Sequence, residues 1–174
     1  LRLLILLFVG LFTLGCASAP QRVEAPKKLE HVYLEPVTNR TSEEALDVIF
    51  TQVANDVFAE DPRFKVDLKP IPDVSIVVKP SVDYISSTAV GFDKRDVARE
   101  YQLTVGVTVK LIKYGFKRPL AVFQISRYDF YNAYGTASEV EEKRKECLRR
   151  IGEQIFREVA ERLYVEGYKN VQRQ

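Results

Sequence analysis

The residues of this chain that could do covalent or metal chemistry are few and far apart. Cys16 and Cys147 are its two cysteines and His31 its one histidine. A Cys/His metal site needs more ligands than these, and two cysteines make no disulfide framework. His31 with a serine and an aspartate would nominally supply a catalytic triad. The sequence has no G-x-S-x-G turn to expose a nucleophile, however, and neither an H-E-x-x-H helix nor a Gly-rich phosphate loop. The carboxylate groups Glu43-Glu44 and Glu139-Glu141-Glu142 invite an acid/base reading. Both fall where a helix is expected to begin, and carboxylates are favoured there by the helix dipole, so capping is the preferred role. No catalytic residue, metal or cofactor is assigned, and an enzyme is not expected.

Charge and aromatic residues leave more to consider. Lys plus Arg number 26 against 24 Asp plus Glu, for a net charge of +2. That balance excludes the polybasic footprint of a nucleic-acid-binding domain. Two basic groups nevertheless fall in expected loops: Lys94, Arg95 and Arg99 between strands, and Lys113, Lys117 and Arg118 around a hairpin tip. Loop charges of this kind either stay solvated or meet an anion. Tyr128, Phe130, Tyr131 and Tyr134 likewise are either strand packing or a contact surface. Cys147 falls on the inner face of a helix and reads as a small buried hydrophobe with an inert thiol.

Residues 1–15 have another character. The run 3–12 is apolar apart from Gly10, follows Arg2 and is closed by Thr13-Leu14-Gly15-Cys16. It falls short of the ~20 residues needed to cross a membrane, and a charged start, short apolar stretch and small residue are the pattern of a secretory signal. The cysteine directly after Gly15 resembles the lipobox of bacterial lipoproteins. That resemblance implies cleavage before Cys16 and lipidation of Cys16, and Ala17-Ser18 after it, with no Asp, implies the outer membrane. An ordinary cleaved signal with an incidental cysteine is the alternative. Residues 16–29 have the composition of a tether, with Pro20, Pro26 and mixed charges. Fully extended at ~3.3 Å per residue, it spans about 46 Å.

The elements that must position these residues follow from periodicity. A first strand is expected over 31–37, limited by Pro36. Thr41 and Glu44 form a T-x-x-E capping box opening a helix with Leu46, Ile49, Phe50, Val53, Val57 and Phe58 on one face, ended by Asp61-Pro62. Phe64, Val66 and Leu68 alternate as a short strand. Val74, Ile76, Val78, Val82 and Tyr84 share one parity in a longer strand, where Pro80 implies an edge or a bulge. Tyr101, Leu103, Val105, Val107, Val109 and Leu111 alternate with polar residues, giving a strand apolar on one side only. After a hairpin at 115–119 the parity of 120–134 changes, which predicts a bulge near Ser126. A second capping box, Ser138 with Glu141, opens a helix to about Tyr164 with Cys147, Leu148, Ile151, Ile155, Val159 and Leu163 inward. The predicted fold is α+β, a mostly antiparallel four-stranded sheet with two helices on one face, in a single domain over 30–168 followed by a tail, 169–174.

Several segments together resemble the LptE family of outer-membrane lipoproteins. They are Leu14-Gly15-Cys16, Thr38-Asn39-Arg40-Thr41 before the first helix, the run 83–93 (DYISSTAVGFD), the run 99–105 (REYQLTV) and the final acidic-start helix. The resemblance implies two helices on a four-stranded sheet and a non-enzymatic scaffold. Such a scaffold plugs the LptD-type β-barrel that delivers lipopolysaccharide to the outer leaflet, contacting lipopolysaccharide as it does so. By position it implies lipopolysaccharide binding by Lys94, Arg95 and Arg99. The family's second basic contact, after the last strand, has no counterpart in Tyr134-Gly135-Thr136-Ala137. Periplasmic lipoproteins that activate a peptidoglycan synthase or belong to a secretion pore begin in a similar way and are the alternative.

Overall fold

A computed structural model describes residues 30–171, so the expected signal peptide, Cys16 and the tether lie outside the described residues. The elements are β1 (Glu30–Leu34), β2 (Thr38–Asn39), α1 (Leu46–Glu60), β3 (Phe64–Val66), β4 (Ile76–Phe92), β5 (Ala98–Lys113), β6 (Ala121–Asn132) and α2 (Ala137–Val171). One sheet runs β3-β1-β4-β5-β6, with β2 also paired to β4. The α+β class with two helices is as expected. The sheet has six strands rather than four, because the strand expected over 31–37 stops at Leu34, before Pro36, and a separate β2 follows it, and because β1, β2 and β3 add parallel pairings to the antiparallel β4-β5-β6. These parallel strands pair over two or three residues each; β1 and β3 fall where short strands are expected, but nothing in so short a run sets which strand it pairs with.

Pro80 sits where its missing donor does no harm. The carbonyls of Val78 and Val82 accept from Glu35 and Arg40, so Pro80 between them faces the interval separating β1 from β2. Just beyond it, a bulge between Val82 and Tyr84 reverses the parity of β4. Val78 and Val82 are buried, whereas Tyr84 emerges on the opposite, open face, contrary to the expected single parity.

The expected bulge in β6 is absent, since β5 and β6 pair without a break from Glu100–Asn132 to Leu111–Ala121. The parity change there has another cause. Arg127 and Asp129 occupy the helix-facing side and bind Glu158 and Arg150 of α2, the latter at 2.6 Å. Tyr128 and Phe130 therefore stand on the open face.

Both helices cover the other face. Phe50 and Phe156 meet edge to face at 6.2 Å, and Leu103, Val105, Val107, Val109 and Leu111 of β5 are buried beneath them. Neither helix starts at its expected box. Thr41 is captured by Asn39, whose Oδ1 accepts from its amide at 2.9 Å and its hydroxyl at 2.8 Å, so α1 begins only after Ala45 in a left-handed conformation. Glu43 instead accepts from Arg144 at 2.6 Å, tying the approach to α1 onto α2, and that bond holds its carboxyl below the ordinary range. The second box is made by Thr136 and Glu139, two residues earlier than expected: Glu139 Oε2 accepts from the Thr136 amide and hydroxyl at 2.7 and 2.9 Å. Helix α2 is 35 residues long and continues past Tyr164 to Val171. Among the described residues no helix is long and apolar enough to cross a membrane.

Candidate functional site

The first basic group is built on the tight connection 93–97 between β4 and β5. Asp93 organises it, its Oδ1 accepting from the amides of Arg95 at 2.8 Å and Val97 at 3.1 Å. Its other oxygen accepts from Arg99 at 2.9 Å. The Arg95 and Val97 amides, aided by the Arg99 guanidinium, hold the Asp93 carboxyl below the usual carboxylate range. Asp96 takes a left-handed backbone conformation, φ 58°, which closes the loop.

The three predicted cations thus divide. Arg99 is half-buried, neutralised by Asp93, and stacked at 5.3 Å over the Tyr134 ring. Lys94 and Arg95 are exposed, and no hydrogen bond or ion pair of their side chains is found among the described residues. Phe92 and Val97 flank them with exposed apolar side chains. A tip presenting two cations between two apolar groups is complementary to an anionic amphiphile.

The turn after β6 carries a charge that its own sequence lacks. Lys143, one helical turn beyond Glu139 on α2, donates to Asn132 Oδ1 at 3.0 Å and to the Tyr134 carbonyl at 2.7 Å. An ammonium has three donors, so one remains for a ligand. Since Tyr134 also lies under Arg99, Lys143 belongs to the same end of the domain. It sits outside the turn in sequence and only the fold returns it there. The available signal was the i, i+4 spacing from Glu139.

The remaining candidates lie apart from this loop. Lys113, Lys117 and Arg118 lie at the other end of the 16-residue β5, about 50 Å away at ~3.3 Å per residue, and cannot share an anion with Lys94. Tyr131 stacks on Tyr101 at 5.5 Å on the helix side, while Tyr128 and Phe130 are exposed on the open face. His31 Nδ1 lies 3.0 Å from Asp67 Oδ1, and no metal-ligand group occurs among the described residues. Cys147 is fully buried, and burial together with the nearby Asp129 charge pushes its thiol up to about 11.

Comparison with known structures gives first the fold. The fold is similar to that of rare lipoprotein B from Shewanella oneidensis, at 14% identity and TM-score 0.55, covering 80% of this chain and 98% of that one. It is similar also to a lipoprotein from Caulobacter crescentus at 12% identity and TM-score 0.56, covering 78% and 92%. A Xanthomonas campestris protein matches at 11% identity and TM-score 0.59, covering 85% and 93%. No curated protein matches the chain significantly in sequence. The model of the LptE family, described as lipopolysaccharide-assembly, matches residues 29–164. The chain belongs to the LptE family.

Proposed function

We propose that this protein is anchored in the outer membrane through acylated Cys16, on the periplasmic side, and plugs or scaffolds an LptD-type β-barrel. In that place it contacts lipopolysaccharide with Lys94 and Arg95, while Arg99 both holds the loop through Asp93 and offers its remaining donors to the same phosphates. The observation that carries this reading is the tip at 92–97, where two unpaired cations stand between exposed Phe92 and Val97. Phosphate oxygens take charge-assisted bonds from Lys and Arg, and acyl chains suit the apolar flanks.

The clean test reverses Lys94 and Arg95 only, because Arg99→Glu would also break the contact that closes the loop. Lys94→Glu/Arg95→Glu should change unfolding free energy by less than ~0.5 kcal/mol, as surface substitutions do. Immobilised lipopolysaccharide should bind it more weakly than wild type at low salt, with the gap closing at high salt as charges are screened. Equal binding at both salt concentrations would remove the loop from the function. Failure of the solubilised protein to copurify with a large outer-membrane barrel would remove the plug.

A further inference from the structure

We propose that the opposite end of the domain, formed by the hairpin 114–120 and the β3–β4 loop 67–75, is a seat for an anionic lipid leaflet. It rests on the reading of Cys16 as the membrane anchor. The register fixes where the chain leading from Cys16 joins the fold. Val32 pairs with Ile76, and Ile76 with Lys113. Glu30 therefore lies beside the hairpin, at the far end of β5 from Lys94. From Cys16 to Glu30 the chain reaches at most about 46 Å, while β5 alone separates the two ends by about 50 Å. With Cys16 in the leaflet, the hairpin end stays within reach of the lipid at every extension of the tether, whereas the Lys94 tip meets it only when the domain tips over.

The surface at this end has the composition of an interfacial segment. Leu68 is 97% exposed and Phe116 56% exposed, and Ile71, Tyr114 and Leu120 are exposed around them. Lys69, Lys117 and Arg118 stand between these residues in water, and the Lys113 ammonium lies 5.6 Å from the Phe116 ring centroid. Apolar groups that enter the headgroup region, interleaved with cations that meet anionic lipid, are the two contributions to interfacial binding. Of the two acids here, Asp67 is turned to Ser75 and His31, leaving Asp73 as the exposed one.

The platform is already ordered. Tyr114 donates to the Ser75 carbonyl at 3.0 Å, the Ile71 amide donates to Ser75 Oγ at 2.9 Å, and Ser75 Oγ donates to Asp67 at 2.6 Å. Ser75 is fully buried, so these bonds join the two loops, and little conformational freedom is left to lose on contact with lipid. The Lys94 tip also combines cations with apolar groups. Composition alone does not choose between the two ends; the position of Glu30 does.

The chain has no tryptophan, so Phe116→Trp and, separately, Phe92→Trp each supply a single fluorophore. The chain from Cys16 onward retains every core residue. Left unacylated, it is coupled through the Cys16 thiol to maleimide lipid in phosphatidylethanolamine–phosphatidylglycerol vesicles with brominated acyl chains; Cys147 is buried and does not compete. The indole at position 116 should shift to the blue and be quenched, and that at position 92 should not. Lys69→Glu/Lys117→Glu/Arg118→Glu should lower the seating equilibrium constant about a hundredfold, at roughly fivefold per cation. An unquenched indole at 116, or equal quenching at both positions, overturns the seat. Acylation is read separately, from the mass of Cys16 in envelopes, so its absence defeats the anchor without altering the quenching result.

Discussion

Gly106→Ala is expected to destabilise the fold through a residue on a neighbouring strand. The bulge in β4 turns Tyr84 onto the open face, and its ring then crosses β5 over Gly106 to share a 2.8 Å hydrogen bond with Ser126 of β6. A Cβ at position 106 would lie 2.0 Å from Tyr84 Cε1 and 2.6 Å from Cδ1 and Cζ. The ring must leave. Tyr84 is 48% exposed, so about half of the ~200 Å² an aromatic side chain can bury is at stake, which at ~25 cal/mol per Å² is at most ~2.5 kcal/mol. The exposed hydrogen bond adds ~0.5–1 kcal/mol, and relief of the glycine's unfolded-state entropy returns a similar amount. The net cost is ~1–3 kcal/mol, measured as the shift of the urea unfolding midpoint at constant m-value. Tyr84→Ala removes the obstacle. In that background Gly106→Ala should be neutral or stabilising by up to ~1 kcal/mol. An equal cost of Gly106→Ala in both backgrounds would refute the crossing ring as its cause.

Two further outcomes test buried groups. Burial raises the Asp67 carboxyl, but hydrogen bonds from Ser75 and His31 outweigh it and leave the folded value below the ordinary 3.8; the stabilisation is therefore complete above that value and lost as pH falls through the lower folded one. Asp67→Asn should flatten the acid limb of stability against pH below about pH 4 relative to wild type, and parallel limbs would exclude the contribution. Cys147, with its thiol raised to about 11, should react with a thiol reagent near pH 8 only at the rate of unfolding; rapid reaction of the native protein would contradict its burial.

What the sequence made legible is what long, regular periodicity carries. The inward residues of β5, the buried face of α1 and the inner face of α2 are all where alternation and helical spacing put them. The failures have local causes. Thr41 offers its hydroxyl to a helix amide or to Asn39 with equal sequence grounds, and geometry gave it to Asn39. In β6, Arg127 and Asp129 look solvent-facing by type, yet α2 supplies Glu158 and Arg150 to receive them, so the polar residues face the helix and Tyr128 faces water. At the candidate site, a loop of exposed cations could be read from composition. That Asp93 withdraws Arg99 depends on the turn at Asp96, and that Lys143 reaches the end of β6 depends on the docking of α2.

The lengths of β4 and β5, 17 and 16 residues, are close to three times the usual strand of ~5–6 residues, and this excess has a mechanical meaning. Beneath the helices the inward residues of β5 are buried from Leu103 to Leu111, while Ala98–Gln102 extends past that cover, only partly buried or exposed. Beyond Val82, β4 has no strand on its other side among the described residues, and its bulges between Ala89 and Phe92 fall along that edge, where irregular twist discourages pairing with another chain. The tip at 93–97 is therefore carried by a projecting ribbon rather than by the core. Its side chains can change sign or size with little effect on the packing of α1 and α2. At the other end Ser75 and Asp67 bind the loops to β1, and charge changes at Lys117 or Arg118 leave that network untouched. Contact chemistry at both ends is thus separable from folding, which is why charge reversal is an informative perturbation of this protein.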